Sequence, residues 1–294
     1  MDNFNGYFAQ ANKSSKLNRD EFIAQSKENR QKCYTMADDM AKSLLISPSS
    51  LQQYLDVQSK FSKYSVNNAL IIMAQNPNAT QIGDLHYWRE KNLYIKKEEF
   101  NNPMLILEPG DEYQRKDGTT GTYYNAKKVY DVSQINANMK PSQVKYNINE
   151  LVMALANKSP VAFKTVEPES LPNGVAMQYN AQLNQINMTS QLGNGNTVFQ
   201  LTAMEISHAI MSKRNPQYNR DEHHLTAYCA SYMLCKEYGV DTKGFEFDFN
   251  LGHDDMEPAE VKKELNQIKR VANEISNRIE PALAKTKADK SMER

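Results

Sequence analysis

The sequence predicts an α+β protein of two domains: an N-terminal helical domain with a small antiparallel sheet, and a C-terminal domain of a short sheet and long helices. Three observations carry this. Apolar residues recur at helical intervals up to about residue 75 and again after Thr197. Between those stretches lie short β-prone runs punctuated by Gly, Asn, Asp and Pro. The chain, at 294 residues, is longer than one ordinary domain needs.

From Asn18 to about Ser47 no proline or glycine interrupts Phe22, Ile23, Met36, Met40, Leu44 and Leu45, which reads as one helix within an N-terminal extension of about residues 1–48. Ser47-Pro48 stops it. Leu51, Tyr54, Leu55 and Phe61 predict a second helix ending near Lys63, and Ser65 caps a third, Val66 to Gln75, closed by Asn76-Pro77-Asn78. A short helix over Leu85 to Lys91 then gives way to three strands, around Tyr94 to Lys96, Met104 to Leu107 and Lys128 to Val132. Gly110 to Thr122, with Asp117-Gly118 and Gly121, reads as a polar loop between two of them. This places the first domain at 1–135 and a linker at 136–147.

The second domain, 148–283, begins with a helix from Ile148 to Ala156 and a strand from Val161 to Val166. A hairpin follows, pairing Val175–Tyr179 with Gln185–Met188. Gly193-Asn194-Gly195-Asn196 precedes a helix over Thr197 to Lys213, and another runs from Asp221 to Tyr238, with Gly239 as a left-handed C-cap. Pro258 and the spacing of Val261, Leu265, Ile268, Ala272, Ile275 and Ile279 define a last amphipathic helix. The charged tail, 284–294, is expected to be disordered.

Charge argues against a generic polyanion binder. Basic and acidic side chains balance at 35 each, and residues 1–140 hold 18 and 16 of them. Nucleic-acid binding must then rest on local features. Cys33, Cys229 and Cys235 lack the spacing of a metal knuckle or redox pair and read as reduced thiols. With no signal-like N-terminus and no apolar run near 20 residues, a soluble cytoplasmic protein without membrane partners is expected.

The most informative helix carries Met204-Glu205-Ile206-Ser207-His208. In zinc peptidases H-E-x-x-H sets two imidazoles four residues apart on one helix face, and the glutamate serves the metal-bound water as general base. Here Glu205 and His208 stand, but Met204 offers only a thioether at the first ligand position. Without further context, Leu201, Met204 and His208 read as a helix face packed on the sheet, with Met204 filling core. The order of hairpin, Gly/Asn turn, Glu-x-x-His helix and second helix resembles the minimal gluzincin arrangement, which implies a zincin-like fold.

Two sets of residues carry a family resemblance. Gly174 to Tyr179, Gln185 to Met188, Phe199 to Ala209 and Ala227 to Lys236 resemble the peptidase-like domain, related to the ImmA/IrrE metallopeptidases, of ArdC-type antirestriction and LtrC-like mobile-element proteins. Tyr64 to Thr80, Trp88, Ile95-Lys96-Lys97, Leu105 to Pro109 and Val129 to Gln134 resemble the ArdC N-terminal domain. The resemblance implies single-stranded DNA binding by the first domain. It also implies an acidic third zinc ligand on the second helix, at the position held here by Tyr228, whose phenol is a poor substitute for a carboxylate. With Met204 and Tyr228 in two ligand positions, the implied state is a pseudopeptidase with Glu205 as a vestigial base and no cofactor. Zinc enters only if His208, His224 and Tyr228 form a rebuilt site; alternatively, Asp221-Glu222-His223-His224 is a solvated first helical turn.

On the DNA side, Tyr64, Asn67, Trp88, Arg89, Tyr94, Lys96 and Lys97 combine stacking faces, amide and cations within a short span. A lone tryptophan such as Trp88 is more often core than stacking platform, and Lys96-Lys97 beside Glu98-Glu99 also reads as a solvated edge. The family carries a glycine-containing Lys-Lys-Gly-Glu turn there; Glu98-Glu99 in its place repels phosphate and implies weaker affinity. The expected function is a single-stranded DNA-binding antirestriction or conjugation-associated protein, its second domain a scaffold or docking surface for a protein partner. The alternatives are an active zinc metallopeptidase with a rebuilt site, and a protein-interaction module with neither activity.

Overall fold

The computed structural model describes residues 2–136, 146–249, 251 and 255–292, with side chains from 19 to 284. Among them are eight α-helices and two three-stranded sheets, the α+β class that the sequence predicts. The chain divides into two compact units: Met1–Met40 with Leu70–Met139, and Ala41–Ala69 with Lys140–Arg294. Most of the expected linker lies outside the described residues. None of the described helices is long and apolar enough to cross a membrane.

In the first unit, α1 (Asp2–Ile46) contributes its residues up to Met40, starting well before the predicted Asn18. The last six residues of α3 (Val66–Gln75) also belong here, and Gln75 ties the helix to the sheet by accepting from the Leu105 amide and donating to the Leu105 carbonyl, both at 2.8 Å. β2 (Met104–Gln114) and β3 (Thr120–Asp131) form a long antiparallel hairpin, and the two-residue β1 (Ile82–Gly83) pairs with the far end of β3. Only the root of the hairpin is core: Met104 to Leu107 are buried, whereas most residues beyond them face solvent. The predicted loop from Gly110 to Thr122 is therefore strand for most of its length, a bulge between Pro109 and Glu112 absorbing the residues that looked like loop. The strand predicted around Tyr94 to Lys96 is reduced to one bridge, Ile95 to Ile135.

Trp88, on α4 (Leu85–Glu90), sits with Tyr130, Val132 and Ile135 in one apolar cluster. Its indole N–H donates to the Tyr130 carbonyl at 3.1 Å, satisfying the one polar atom of the buried ring. Asp131 closes the sheet by accepting from the backbone of Thr80, Gln81 and Ser133, and Gln134 completes a capping box.

The second unit holds α2 (Pro48–Lys60), α5 (Ile148–Lys158), β4 (Ala162–Thr165), β5 (Met177–Asn180), β6 (Gln185–Met188), α6 (Gly195–Arg214), α7 (Arg220–Tyr238) and α8 (Pro258–Met292). β6 lies between β4, to which it is parallel, and β5, to which it is antiparallel. Helix α6 packs on this sheet and buries Phe199, Ala203, Ile206 and Ile210 among α5, α7 and α8. α2 joins the unit through α7: Asp56 accepts from the Tyr232 hydroxyl at 2.7 Å and pairs with Lys236 at 2.9 Å. Gly239 caps α7 at φ 71°, as predicted. α8 runs on to Met292 through the segment expected to be disordered, whose Ala- and Lys-rich sequence favours helix.

Candidate functional site

The Glu-x-x-His pair lies on α6, which starts where the Asn194 side chain accepts from the Thr197 amide. Spacing of three residues puts Glu205 and His208 on one face, and both side chains are wholly buried. Loop 215–219 then carries the chain into α7, whose first residue is Arg220. Its guanidinium grips Glu205 as a fork: Nη1 donates to Oε2 at 2.8 Å and Nη2 to Oε1 at 2.6 Å. The Tyr179 amide on β5 also donates to Oε2, at 2.7 Å. Three donors thus hold the two oxygens of the expected general base.

His208 lies about one turn further along α6. Its Nδ1 is 2.6 Å from the Tyr218 hydroxyl, while its Nε2 is buried without a hydrogen-bond partner. Burial, then the Arg220 charge, then His224 and His223 push its pKa down to about 2, so the ring is neutral at physiological pH. Burial likewise raises the Tyr218 phenol, which stays protonated.

Zinc needs several lone pairs converging at about 2.0–2.3 Å. The orphaned Nε2 of His208 is one such donor; the rest of the set does not follow. The His224 ring lies nearly parallel to that of His208, with 5.7 Å between centroids and 17° between planes. Tyr228 is turned away: its hydroxyl donates to the Glu246 carbonyl at 3.0 Å and accepts from the Glu246 amide at 2.6 Å, with Phe245, Phe247 and Phe249 edge-on around its ring. Among the described residues no three His, Cys, Asp or Glu side chains could hold a metal ion. The residues present do not fit zinc, and the rebuilt site of His208, His224 and Tyr228 does not assemble. Beside the ion pair a cavity of about 500 Å³ opens, lined by Tyr179, Tyr218, Asn219 and Arg220 among others.

The nucleic-acid candidates are not gathered into one unit. Tyr64, half-buried with its ring edge-on to Phe61, and Asn67, at the start of α3, belong to the second unit, whereas Trp88, Arg89, Tyr94, Lys96 and Lys97 belong to the first. Trp88 is 1 % exposed and offers no face for stacking, which corrects its place among the contact residues. Lys96 donates to the Ser133 carbonyl at 2.7 Å. Arg89, Lys97 and Tyr94 are exposed, the last at 65 %.

Sequence reasoning missed the outer half of the β2–β3 hairpin. Tyr123 and Tyr124 are exposed there, Tyr113 packs against Tyr123 at 4.3 Å between centroids, and Arg115 and Lys116 form the turn with Asp117. The aromatic run Tyr113, Tyr123, Tyr124 flanking a Lys-Asp-Gly turn was the available signal.

No family model and no curated protein matches the sequence. A match exists among solved structures. The chain is similar in structure to the antirestriction protein ArdC of plasmid R388. Against its Mn(II)-bound structure the identity is 13 %, the match covers 77 % of this chain and 98 % of that one, and the TM-score is 0.49. For the metal-free structure the values are 14 %, 74 %, 82 % and 0.46.

Proposed function

We propose that the protein binds single-stranded DNA in an antirestriction or conjugation-associated role and that its zincin-like C-terminal unit hydrolyses no peptide. The observation that carries this reading is the Arg220 fork on Glu205. A general base must reach the attacking water with a lone pair directed at it. In Glu205 three of about four lone-pair sites are filled by a fixed cation and a backbone amide, the group is wholly buried, and among the described residues no converging ligand set stands nearby to activate water. What remains to such a unit is to hold shape and to bind.

DNA binding is supported by the exposed aromatic faces of the first unit, Tyr94, Tyr123 and Tyr124, on which unpaired bases can stack irrespective of sequence. The residue-level resemblance to ArdC-type proteins points the same way. Three buried, unpaired thiols suit a reducing cytoplasm.

Anisotropy of a labelled single-stranded oligonucleotide titrated with full-length protein, together with metal analysis and a peptidase assay with added zinc, tests the reading. Expected are binding that weakens with salt, zinc well below one equivalent, and no hydrolysis. Absence of binding at low salt overturns the DNA half. Stoichiometric zinc lost in His208→Ala, with hydrolysis lost in Glu205→Gln, overturns the other.

A further inference from the structure

The exposed aromatics of the first unit bring little net charge with them: around the hairpin, Arg115, Lys116, Lys127 and Lys128 stand beside Glu108, Asp111, Glu112 and Asp117, and Lys127 is paired with Asp84 and Glu108. The hairpin therefore does not supply phosphate attraction, the main source of affinity for nucleic acid. The second unit has a surface of the required kind, which neither the motif nor the resemblance marks.

Between α8 and the end of α6 runs a groove of about 680 Å³ lined by Arg214, Lys269, Arg270 and Arg278, with Glu274 its single carboxylate. Glu274 pairs with Arg214 and, at 2.9 Å, with Arg278, fixing both guanidinium groups in place. That leaves Lys269 and Arg270, for which the described residues supply no hydrogen-bond or ion-pair partner. Lys269 is half-buried, and burial lowers its pKa, the mark of a cation short of both water and counter-charge. The remaining lining is amide rather than acid: Asn266 and Asn273 each give one N–H to a backbone carbonyl, of Lys262 at 2.7 Å and Ser62 at 3.2 Å, and keep a second for a phosphate oxygen, as does Asn277.

Placement distinguishes a chain of phosphates from a single one. Asn266, Arg270, Asn273 and Asn277 recur every three or four residues on one face of α8 and so span about 16 Å. A lone anion would be met by donors converging on a point, whereas a row of donors one helical turn apart suits an extended polyanion. We propose that this α6–α8 groove is a binding track for the phosphate backbone of single-stranded DNA, with Lys269 and Arg270 as its principal contacts. The inference rests on the DNA-binding reading above and adds the surface that supplies its charge.

The test is anisotropy of a labelled single-stranded oligonucleotide with the full-length protein over a salt series, comparing wild type, Lys269→Gln/Arg270→Gln, Lys269→Arg/Arg270→Lys and Glu274→Gln. Loss of two phosphate contacts reduces the slope of log K against log salt by about 1.4, roughly 25-fold weaker binding at 0.1 M salt when curves are matched at 1 M. The charge-conserving pair keeps the wild-type slope. Glu274→Gln, which removes the one repelling carboxylate, binds more tightly than wild type, a gain that misfolding cannot produce. Wild-type affinity and slope in Lys269→Gln/Arg270→Gln overturn the track while leaving the DNA-binding reading intact. A wild-type protein with no affinity at low salt overturns both.

Discussion

Replacing Arg220 by alanine leaves the Glu205 carboxylate inside the second unit with the Tyr179 amide as its one remaining donor among those described. Breaking a buried ion pair by removing one partner costs about 3–5 kcal/mol, because the other charge stays behind without solvent. Glu205 is wholly buried, but the Arg220 side chain is 24 % exposed, so water can enter the space that alanine leaves. The expected loss is therefore at the lower end, about 3 kcal/mol. Removing both charges together, in Glu205→Gln/Arg220→Met, keeps an acceptor for the Tyr179 amide and leaves no buried charge, only an amide NH2 short of an acceptor, and is expected to cost about 1–2 kcal/mol, less than the single variant. Urea unfolding followed by far-ultraviolet circular dichroism measures the differences, with the single tryptophan, Trp88, reporting the first unit separately. A loss under about 0.5 kcal/mol in Arg220→Ala, or a double variant as unstable as the single one, refutes the claim that the pair is mutually dependent.

A buried imidazole and a half-buried carboxylate give opposite pH dependences. His208 is depressed from 6.5 to about 2, so its contribution is present above pH 6.5 and is lost as pH falls, at about 1.4 kcal/mol per pH unit; His208→Gln flattens that slope. Glu237 is raised from 4.5 to about 7, chiefly by burial, so its contribution is present below pH 4.5 and is lost as pH rises through 7; Glu237→Gln makes the protein relatively more stable at pH 8. Between pH 4.5 and 6.5 the two oppose each other, and only single-site variants in urea titrations at several pH values separate them. Saturating single-stranded DNA is expected to leave Trp88 emission nearly unchanged, since the ring is buried on the Tyr130 carbonyl; strong quenching on titration would contradict its place in the core. Tyr228→Phe removes both hydrogen bonds to Glu246 and is expected to cost about 1 kcal/mol and to speed hydrogen exchange at the Glu246 amide, whereas unchanged exchange would deny Tyr228 its anchoring role.

The helices of the second unit were legible because their signals are local. Asn194, Gly239 and the 3.6-residue spacing of Val261 to Ile279 each act within a few residues. The Glu205–Arg220 fork was not legible, since it depends on how loop 215–219 folds back: the Asn215 side chain accepts from the Gln217 amide, and the Tyr218 amide donates to the Asn215 carbonyl. Nothing in the spacing of fifteen residues announces that. The outer hairpin was concealed by composition, because Pro109, Gly110, Gly118 and Gly121 are turn formers whether they sit in a loop, a bulge or a tight hairpin. The stripe Leu51, Tyr54 and Leu55 said that α2 must bury a face, but an apolar stripe carries no address, and the partner proved to be α7, some 180 residues away.

That last pairing decides how the protein can be dissected. The second unit takes residues 41–69 and then resumes at 140, so a cut at the apparent domain boundary does not release it whole. A C-terminal fragment beginning near residue 146 would lack Asp56 and expose the α7 surface around Tyr232 and Lys236, inviting aggregation. The same arrangement makes 70–139 an insert between the two stretches of the second unit, but its edge at Leu70 divides α3 and its own unit also draws on residues 1–40, so excising it cuts a helix and breaks up the first unit. Limited proteolysis followed by fragment co-purification, more than truncation cloning, is the way to reach the two units separately.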